Sequence, residues 1–174
     1  MCKMSRVIEI QKNKSLRLEN VLVNCILNIA GIGDENTEEK DDSDQPFSLE
    51  LEIQKMENEI RVKGASAVGP LIQYSGTDSE CEDLQMRISL MIQADRFINK
   101  INYPYKMESV IQLKNCYYTR FIGLEEDINY AYQKIEVVAY EDDVVLKGNS
   151  YTIFLESNVD GTITADIFME RKDA

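Results

Sequence analysis

The chain has 174 residues, of which 44% are hydrophobic and 29% charged, the composition of an ordinary globular domain. It carries 19 Lys and Arg against 31 Asp and Glu, a formal net charge of −12, and such an acidic surface argues against nucleic acid as the main partner. Histidine is absent, which excludes Ser-His-Asp and Cys-His catalysis and most zinc enzymes, so we expect no metal or other cofactor.

The chain opens with a polar segment followed by a long predicted strand. Residues 1–14 are weakly patterned and form an N-terminal extension. Apolar and β-branched residues dominate from Leu16 to Ala30, which is typical of a strand, and Asn20 marks a turn or bulge within it. Residues 34–45 are rich in Asp and Glu, and they lack the ligand spacing of an EF-hand. This segment therefore predicts a solvated acidic loop rather than a calcium site.

A helix and two strands complete the first half. Apolar residues at the spacing i, i+4, i+7 and i+11 form one helical stripe, consisting of Leu49, Ile53, Met56 and Ile60. The pattern predicts a helix over 47–62, after Pro46 and before the stop signal Lys63-Gly64. Strands are predicted at 71–74 and, with alternating burial, at 84–92.

The second half repeats this order of elements. It predicts strands at 110–113 and 116–122, a helix over 124–140 with an acidic first turn, and strands at 151–155 and 163–169. The two halves also enter their first strands in a similar way, with Leu18-Glu19-Asn20-Val21 and Leu113-Lys114-Asn115-Cys116.

We therefore predict a single α+β domain over residues 1–174, made of the pseudo-repeats 16–94 and 107–170. Each pseudo-repeat is a strand-helix-strand-strand unit, and neither has enough sheet to close a core alone. Together they would form one antiparallel sheet backed by two helices.

The sequence resembles the GyrI-like effector-binding family, which also occurs in drug-sensing bacterial transcription regulators. The similar residues lie in the second half: Phe121-Ile122-Gly123, Ile128, Ala131-Tyr132, Ile135, Gly148 and Tyr151-Thr152-Ile153-Phe154-Leu155. The resemblance implies a duplicated fold with a concave groove on the sheet face away from the helices, where ligands bind between the halves. About 15 residues precede Leu16, too few for a helix-turn-helix, so a stand-alone binding protein is the implied form.

The sequence departs from the family at a position that matters for charge. Members that bind cationic drugs usually have an acidic residue two places before an aromatic residue in the third strand of the second half. Here these positions hold Thr152 and Phe154, and tyrosine is the usual aromatic. A buried carboxylate is what stabilises an organic cation in an apolar pocket, and Thr152 does not supply one. Glu156 and Asp166 are candidates to replace the missing carboxylate, or they face solvent.

The family layout predicts the ligand-binding residues Tyr74, Tyr117, Tyr151, Phe154 and Glu156. An aromatic-lined pocket with few polar groups suits a small apolar ligand. The alternative is that the aromatic residues only pack in the sheet. Tyr117 and Tyr118 point to opposite faces of their strand, so only one of them can line a groove.

The cysteines predict a reducing environment. They are far apart in sequence and form no CxxC motif, and no signal peptide precedes them: Cys2, Cys25, Cys81 and Cys116. We expect reduced thiols in a cytoplasmic protein. The apolar runs are too short to cross a bilayer, so no membrane partner is expected.

Three functions remain open at this point. The first is binding of a small apolar or aromatic ligand in the groove between the halves. The second is a non-enzymatic protein-protein interaction module, for example in a toxin, secretion or gyrase-type regulatory system, since the net charge of −12 suits a basic partner. The third and least favoured is a hydrolase that uses a groove carboxylate, because histidine is absent and Thr152 occupies the usual acidic position. We therefore expect no catalytic residues.

Overall fold

The computed structural model describes residues 8–29, 48–78 and 85–172. The acidic loop at 34–45, residues 1–7 of the N-terminal extension, Cys2 and Cys81 lie outside these residues. The elements in chain order are β1 (Gln11–Ile29), α1 (Leu49–Val62), β2 (Ala67–Asp78), β3 (Gln85–Ala94), β4 (Tyr105–Leu124), α2 (Asn129–Glu141), β5 (Ser150–Ser157) and β6 (Thr162–Met169).

The six strands form one antiparallel sheet that closes into a barrel in the order β1-β3-β2-β5-β6-β4. Within the first half β3 pairs with β1 and β2, and within the second half β6 pairs with β4 and β5. Two pairings join the halves: β1 with β4, and β2 with β5. The fold is thus α+β, as predicted. The order of pairing is the same in both halves, and the duplication itself stays a prediction.

The sequence predicts an open groove on one face of the sheet, but the sheet closes into a barrel and that face becomes the interior. The sheet face away from the helices is the inside of the barrel, and it is filled by buried side chains: Leu16, Leu18, Val21, Ile72, Met91, Leu113, Cys116, Tyr151, Ile153 and Phe168. The β1–β4 pairing runs from Gln11↔Tyr118 to Asn24↔Tyr105, which is why the concave face is enclosed. The space between the halves on this face is therefore largely occupied.

Each helix covers one half of the barrel from outside. Met56 and Ile60 of α1 pack on Leu22, Leu90 and Ile92. On the other half, α2 packs its buried residues Ala131, Ile135 and Ala139 against the outer residues of β4 and β6, including Tyr117, Ile163 and Ile167. Three packed clusters result, one inside the barrel and one under each helix.

The helix limits follow local capping signals. The α1 helix starts after Ser48, whose hydroxyl accepts a hydrogen bond from the Leu51 N–H at 3.4 Å. It ends at Lys63 and Gly64, and Gly64 has a φ of +83°, as the predicted stop signal requires. The second helix starts later than predicted, because Glu125–Asp127 form a separate 3-10 turn before it.

Two asparagines with left-handed backbone change which residues of β1 and β4 face inward. Asn20 has φ +51° and Asn115 has φ +56°. Even-numbered Leu16 and Leu18 face the barrel interior before Asn20, and odd-numbered Val21 does so after it. In β4 the inward face likewise changes from Leu113 to Cys116. The predicted strands at 110–113 and 116–122 are therefore one continuous strand with a kink at Asn115.

Candidate functional site

Four aromatic rings form a continuous row on the inner face of the barrel, hereafter the aromatic row: Tyr74, Tyr151, Phe168 and Tyr118. Each residue is the direct register partner of the next, across β2, β5, β6 and β4. The Tyr74 and Tyr151 rings meet edge to face with centroids 5.0 Å apart, and the Tyr118 and Phe168 centroids are 4.9 Å apart. The centre of the row is buried, and the rings of Tyr74 and Tyr118 at its ends are partly exposed.

A charged cluster adjoins the Tyr118 end of the row. Asp166 lies on the same inner face, directly opposite Ile153 and Arg120 in the sheet. Arg120 donates two hydrogen bonds to this carboxylate, Nε to Oδ1 at 2.8 Å and Nη2 to Oδ2 at 3.0 Å. The Tyr118 hydroxyl donates a third, also to Oδ1 at 2.8 Å. The carboxylate is thus already neutralised by a bidentate guanidinium.

The barrel opens to solvent beside Tyr118. A shallow depression of about 350 Å³ is lined there by Glu9, Gln11, Lys14, Tyr118, Arg120 and Ile122. We call it the barrel mouth. The Lys14 ammonium lies over the Tyr118 ring, 5.4 Å from its centroid, as in a cation–π contact. No carboxylate of the described residues lies within ion-pair distance of Lys14.

The structure separates the five predicted site residues. Tyr74 and Tyr151 meet in the aromatic row. Tyr117 and Phe154 face outward and pack in the cluster under α2. Glu156 is exposed, after a register irregularity in β5. Only two of the five therefore line the inner face.

Tyr117 and Tyr118 point to opposite faces, as predicted, and each binds a different carboxylate. The Tyr117 hydroxyl donates to Asp142 Oδ2 at 2.8 Å on the outer side. Asp142 also pairs with Lys12 at 2.7 Å. The hydrogen bond from Lys12, and then that from Tyr117, holds the pKa of Asp142 below its ordinary value of 3.8.

Burial keeps two ionisable groups on the inner face protonated, the Tyr151 hydroxyl and the Cys116 thiol. It raises the pKa of the Tyr151 hydroxyl, and it raises the pKa of the Cys116 thiol to about 11. Neither group is ionised near neutral pH, so neither provides a ready nucleophile. Cys116 is a free thiol.

A second cavity lies outside the barrel, at the line where β2 and β5 join the two halves. We call it the seam cleft. It has a volume of about 450 Å³ and is lined by Gln73, Ser75, Asn129, Tyr132, Glu136, Leu146, Gly148, Asn149, Ser150, Thr152 and Met169. The floor comes from outward residues of β2 and β5, which pair as Gln73↔Thr152 and Ser75↔Ser150. One wall is α2.

The floor and wall of the seam cleft are joined by one hydrogen bond. The hydroxyls of Tyr132 and Thr152 bond to each other, and Thr152 is buried. Burial raises the pKa of Tyr132, while the bond to Thr152 acts in the opposite direction. Asn149 donates from Nδ2 to Glu170 Oε1 at 3.0 Å, but its own buried Oδ1 accepts no hydrogen bond among the described residues.

The part of the chain that the structure describes holds no group of three or more His, Cys, Asp or Glu placed to bind a metal ion. No helix in the same part is long and apolar enough to span a membrane.

The sequence matches no protein-family model and no curated protein. The fold is similar to that of EcmrR, seen in a cryo-EM structure of an EcmrR–DNA complex, with a TM-score of 0.61 and 12% identity. That match covers 97% of this chain and 60% of the EcmrR chain, so this chain spans less than two thirds of its length. At this identity the likeness concerns the fold alone.

Two further solved chains are similar at a TM-score of 0.46. One, from Staphylococcus aureus MU50, is assigned to bacterial transcription regulation; it is 14% identical, over 95% of this chain and 98% of that chain. The other is SAV2435 bound to tetraphenylphosphonium; it is 12% identical, over 95% of this chain and 94% of that chain.

Sequence reasoning missed two members of the aromatic row, Tyr118 and Phe168, and all but Thr152 of the seam cleft. Phe168 could have been found, because it alternates with Asp166 on a predicted strand. The outward polar residues of β2 and β5 give no such signal, since exposed and cleft-lining serines look alike in sequence.

Proposed function

We propose that this chain is a small-molecule-binding domain of the effector-binding type, and that a small aromatic or apolar ligand binds at the aromatic row without being turned over. The observation that carries the proposal is the row itself: Tyr74, Tyr151, Phe168 and Tyr118 on one face of four adjacent strands, spanning both halves. A row of neighbouring rings offers an apolar surface with defined geometry to a planar ligand. The EcmrR-like fold is compatible with this role.

The ligand would enter at the barrel mouth. The Tyr118 ring is partly exposed there, whereas Tyr151 and Phe168 are buried. Because the interior is packed, a ligand first contacts the Tyr118 face and reaches further only if that ring turns aside. Tyr118 therefore acts as the first binding surface, and Phe168 lies directly behind it.

The charged groups nearest the Tyr118 ring, Lys14 and Arg120, favour a neutral or anionic ligand, although Glu9 also lines the barrel mouth. Asp166 already pairs with Arg120 and accepts a hydrogen bond from Tyr118, so it offers little to an organic cation. The Lys14 ammonium and the N–H groups of Arg120 that do not bond to Asp166 are available to bind a carboxylate on the ligand.

Three naphthalene probes of equal ring size test the proposal: 2-naphthoate, 2-naphthamide and 2-(aminomethyl)naphthalene. The chain contains no tryptophan, so naphthalene fluorescence can be followed in direct titrations. We expect the anion and the neutral amide to bind more tightly than the cation. Tyr118→Ala should weaken the two favoured probes at least fivefold, and Tyr130→Ala, at an exposed tyrosine of α2, should leave them unchanged.

Arg120→Gln sharpens the same test. It leaves Asp166 without its guanidinium partner, so affinity for the ammonium probe should rise while affinity for 2-naphthoate falls. The proposal is wrong if no probe binds saturably, or if Tyr118→Ala binds all three as the native chain does.

Protein binding is a second candidate function, favoured by the exposed face of α2. Tyr130, Val137 and Tyr140 are respectively 65%, 49% and 83% exposed on one side of that helix, opposite Ala131 and Ile135. A partner that the native chain retains and that Tyr130→Asp with Tyr140→Asp loses, while naphthoate binding persists, would support this candidate.

A further inference from the structure

The seam cleft has the opposite chemistry to the aromatic row, although both are built on β2 and β5. Side chains alternate along a strand, so Tyr74 and Tyr151 face inward while Gln73, Ser75 and Ser150 face outward. Neither helix packs its apolar face over this outward patch, since α1 covers the first half and α2 the second. The cleft is therefore a polar surface left open between two covered regions.

The lining of the cleft offers amide and hydroxyl groups that can both donate and accept hydrogen bonds. Gln73, Ser75, Asn129 and Ser150 supply amide and hydroxyl oxygens, and none makes a side-chain hydrogen bond within the described chain. Each of these groups can accept from a ligand N–H or O–H. The volume of about 450 Å³ is that of a pocket for a small organic molecule.

Asn149 adds an unsatisfied acceptor to this lining. Its Oδ1 is buried and has no hydrogen-bond partner among the described residues, while its Nδ2 is held by Glu170. A buried polar atom without a partner destabilises the fold, because it has lost its hydrogen bonds to water. A rotation of the side chain toward the cleft would let a ligand donor satisfy it.

Among the described residues that line the cleft, Glu136 is the only charged one, and none is Lys or Arg. No cation of the described residues lies within ion-pair distance of Glu136. The surrounding protein, at −12, adds to the negative potential.

We propose that the seam cleft is a second ligand site, and that it takes a small polar cation: an aliphatic ammonium compound that also carries hydroxyl or N–H donors. The ammonium faces Glu136, and the donors face the oxygens of Gln73, Ser75 and Ser150. The site is separated from the aromatic row by the sheet, so the two can be occupied independently.

Backbone amide NMR with a fragment library tests this proposal on the full-length ¹⁵N-labelled chain. The library contains cationic, neutral and anionic polar fragments in equal numbers. We expect saturable chemical-shift changes at the backbone amides of Ser75 and Ser150. Cationic fragments should bind most tightly there, and neutral hydrogen-bond donors next. The proposal is overturned if anionic fragments are preferred there, or if the library gives no saturable shift at the cleft.

Variants of Glu136 provide the matched controls. Glu136→Gln should weaken cationic fragments about two- to fivefold, the effect of one exposed ion pair. Glu136→Lys should reverse the preference toward anionic fragments. Glu141→Gln, an exposed carboxylate on the same helix outside the cleft, should change nothing. Equal effects of the Glu136 and Glu141 variants would contradict the assignment, whatever the naphthalene probes do at the aromatic row.

Discussion

The two faces of the β2–β5 seam differ although the same few residues build both. On the inner face Tyr74 meets Tyr151 inside a packed core, and on the outer face Gln73 stands opposite Thr152 beside an open cleft. The inner residues are fixed by burial, whereas most of the outer ones have unused hydrogen-bonding groups. The comparison shows that one junction between strands can provide two chemically unlike surfaces through strand alternation alone.

The largest expected effect is a loss of stability when one buried ring is removed from the inner face of the barrel. Tyr151→Ala removes a buried ring that touches Tyr74 and lies beside Phe168, so the free energy of unfolding should fall by about 3–5 kcal/mol. Urea denaturation followed by circular dichroism measures it. Tyr130→Ala, at a ring that is 65% exposed, should change stability by less than about 0.5 kcal/mol. Similar losses for both variants would mean that the inner row is not packed as described.

A smaller effect is expected on the outer face. Thr152→Val leaves the half-buried Tyr132 hydroxyl without its partner and should cost about 1–3 kcal/mol. Tyr132→Phe in the same chain removes the stranded hydroxyl, so the double variant should recover part of that loss. A double-mutant cycle by urea denaturation gives the coupling, and strictly additive losses would exclude a direct bond.

The smallest expected effect is on the pH dependence of stability, through Asp142, which contacts Lys12 and the Tyr117 hydroxyl. The pKa of Asp142 is lowered in the folded chain by Lys12 and Tyr117, so this interaction stabilises the fold above about pH 4. It is lost as the pH falls below the ordinary value of 3.8 toward the lower folded-state value. Asp142→Asn should therefore reduce stability at neutral pH and flatten the acid limb of a stability–pH curve. An unchanged acid limb would contradict the assignment.

Much of the fold could be predicted because it rests on local patterns. The apolar spacing through Met56 and Ile60, with the stop at Gly64, predicted α1 to within two residues at each end. Alternation predicted the strands in order. Closure into a barrel could not be predicted, since it depends on the β1–β4 pairing between residues far apart in sequence.

The family layout predicted Tyr74, Tyr117 and Tyr151 on the same face, and the position of Tyr117 differs for a local reason. Strand alternation from Leu113 would put Tyr117 on the inner face, but the left-handed Asn115 shifts the alternation by one residue and turns Tyr118 inward. An asparagine within a strand permits such a kink without requiring it. Tyr74 and Tyr151 lie in strand segments without a kink between the inward residues, so alternation places both on the inner face.

The ring of strands also limits how another polypeptide could dock. Each of the six strands is paired with a neighbour on both sides along part of its length, whereas residues 105–116 of β4 and 14–19 of β1 are paired on one side only among the described residues. An extended peptide could therefore pair only along such half-paired stretches, and not where both sides of a strand are already bonded. Recognition of a protein elsewhere on the barrel must use side chains on the outer surface, such as those along α2.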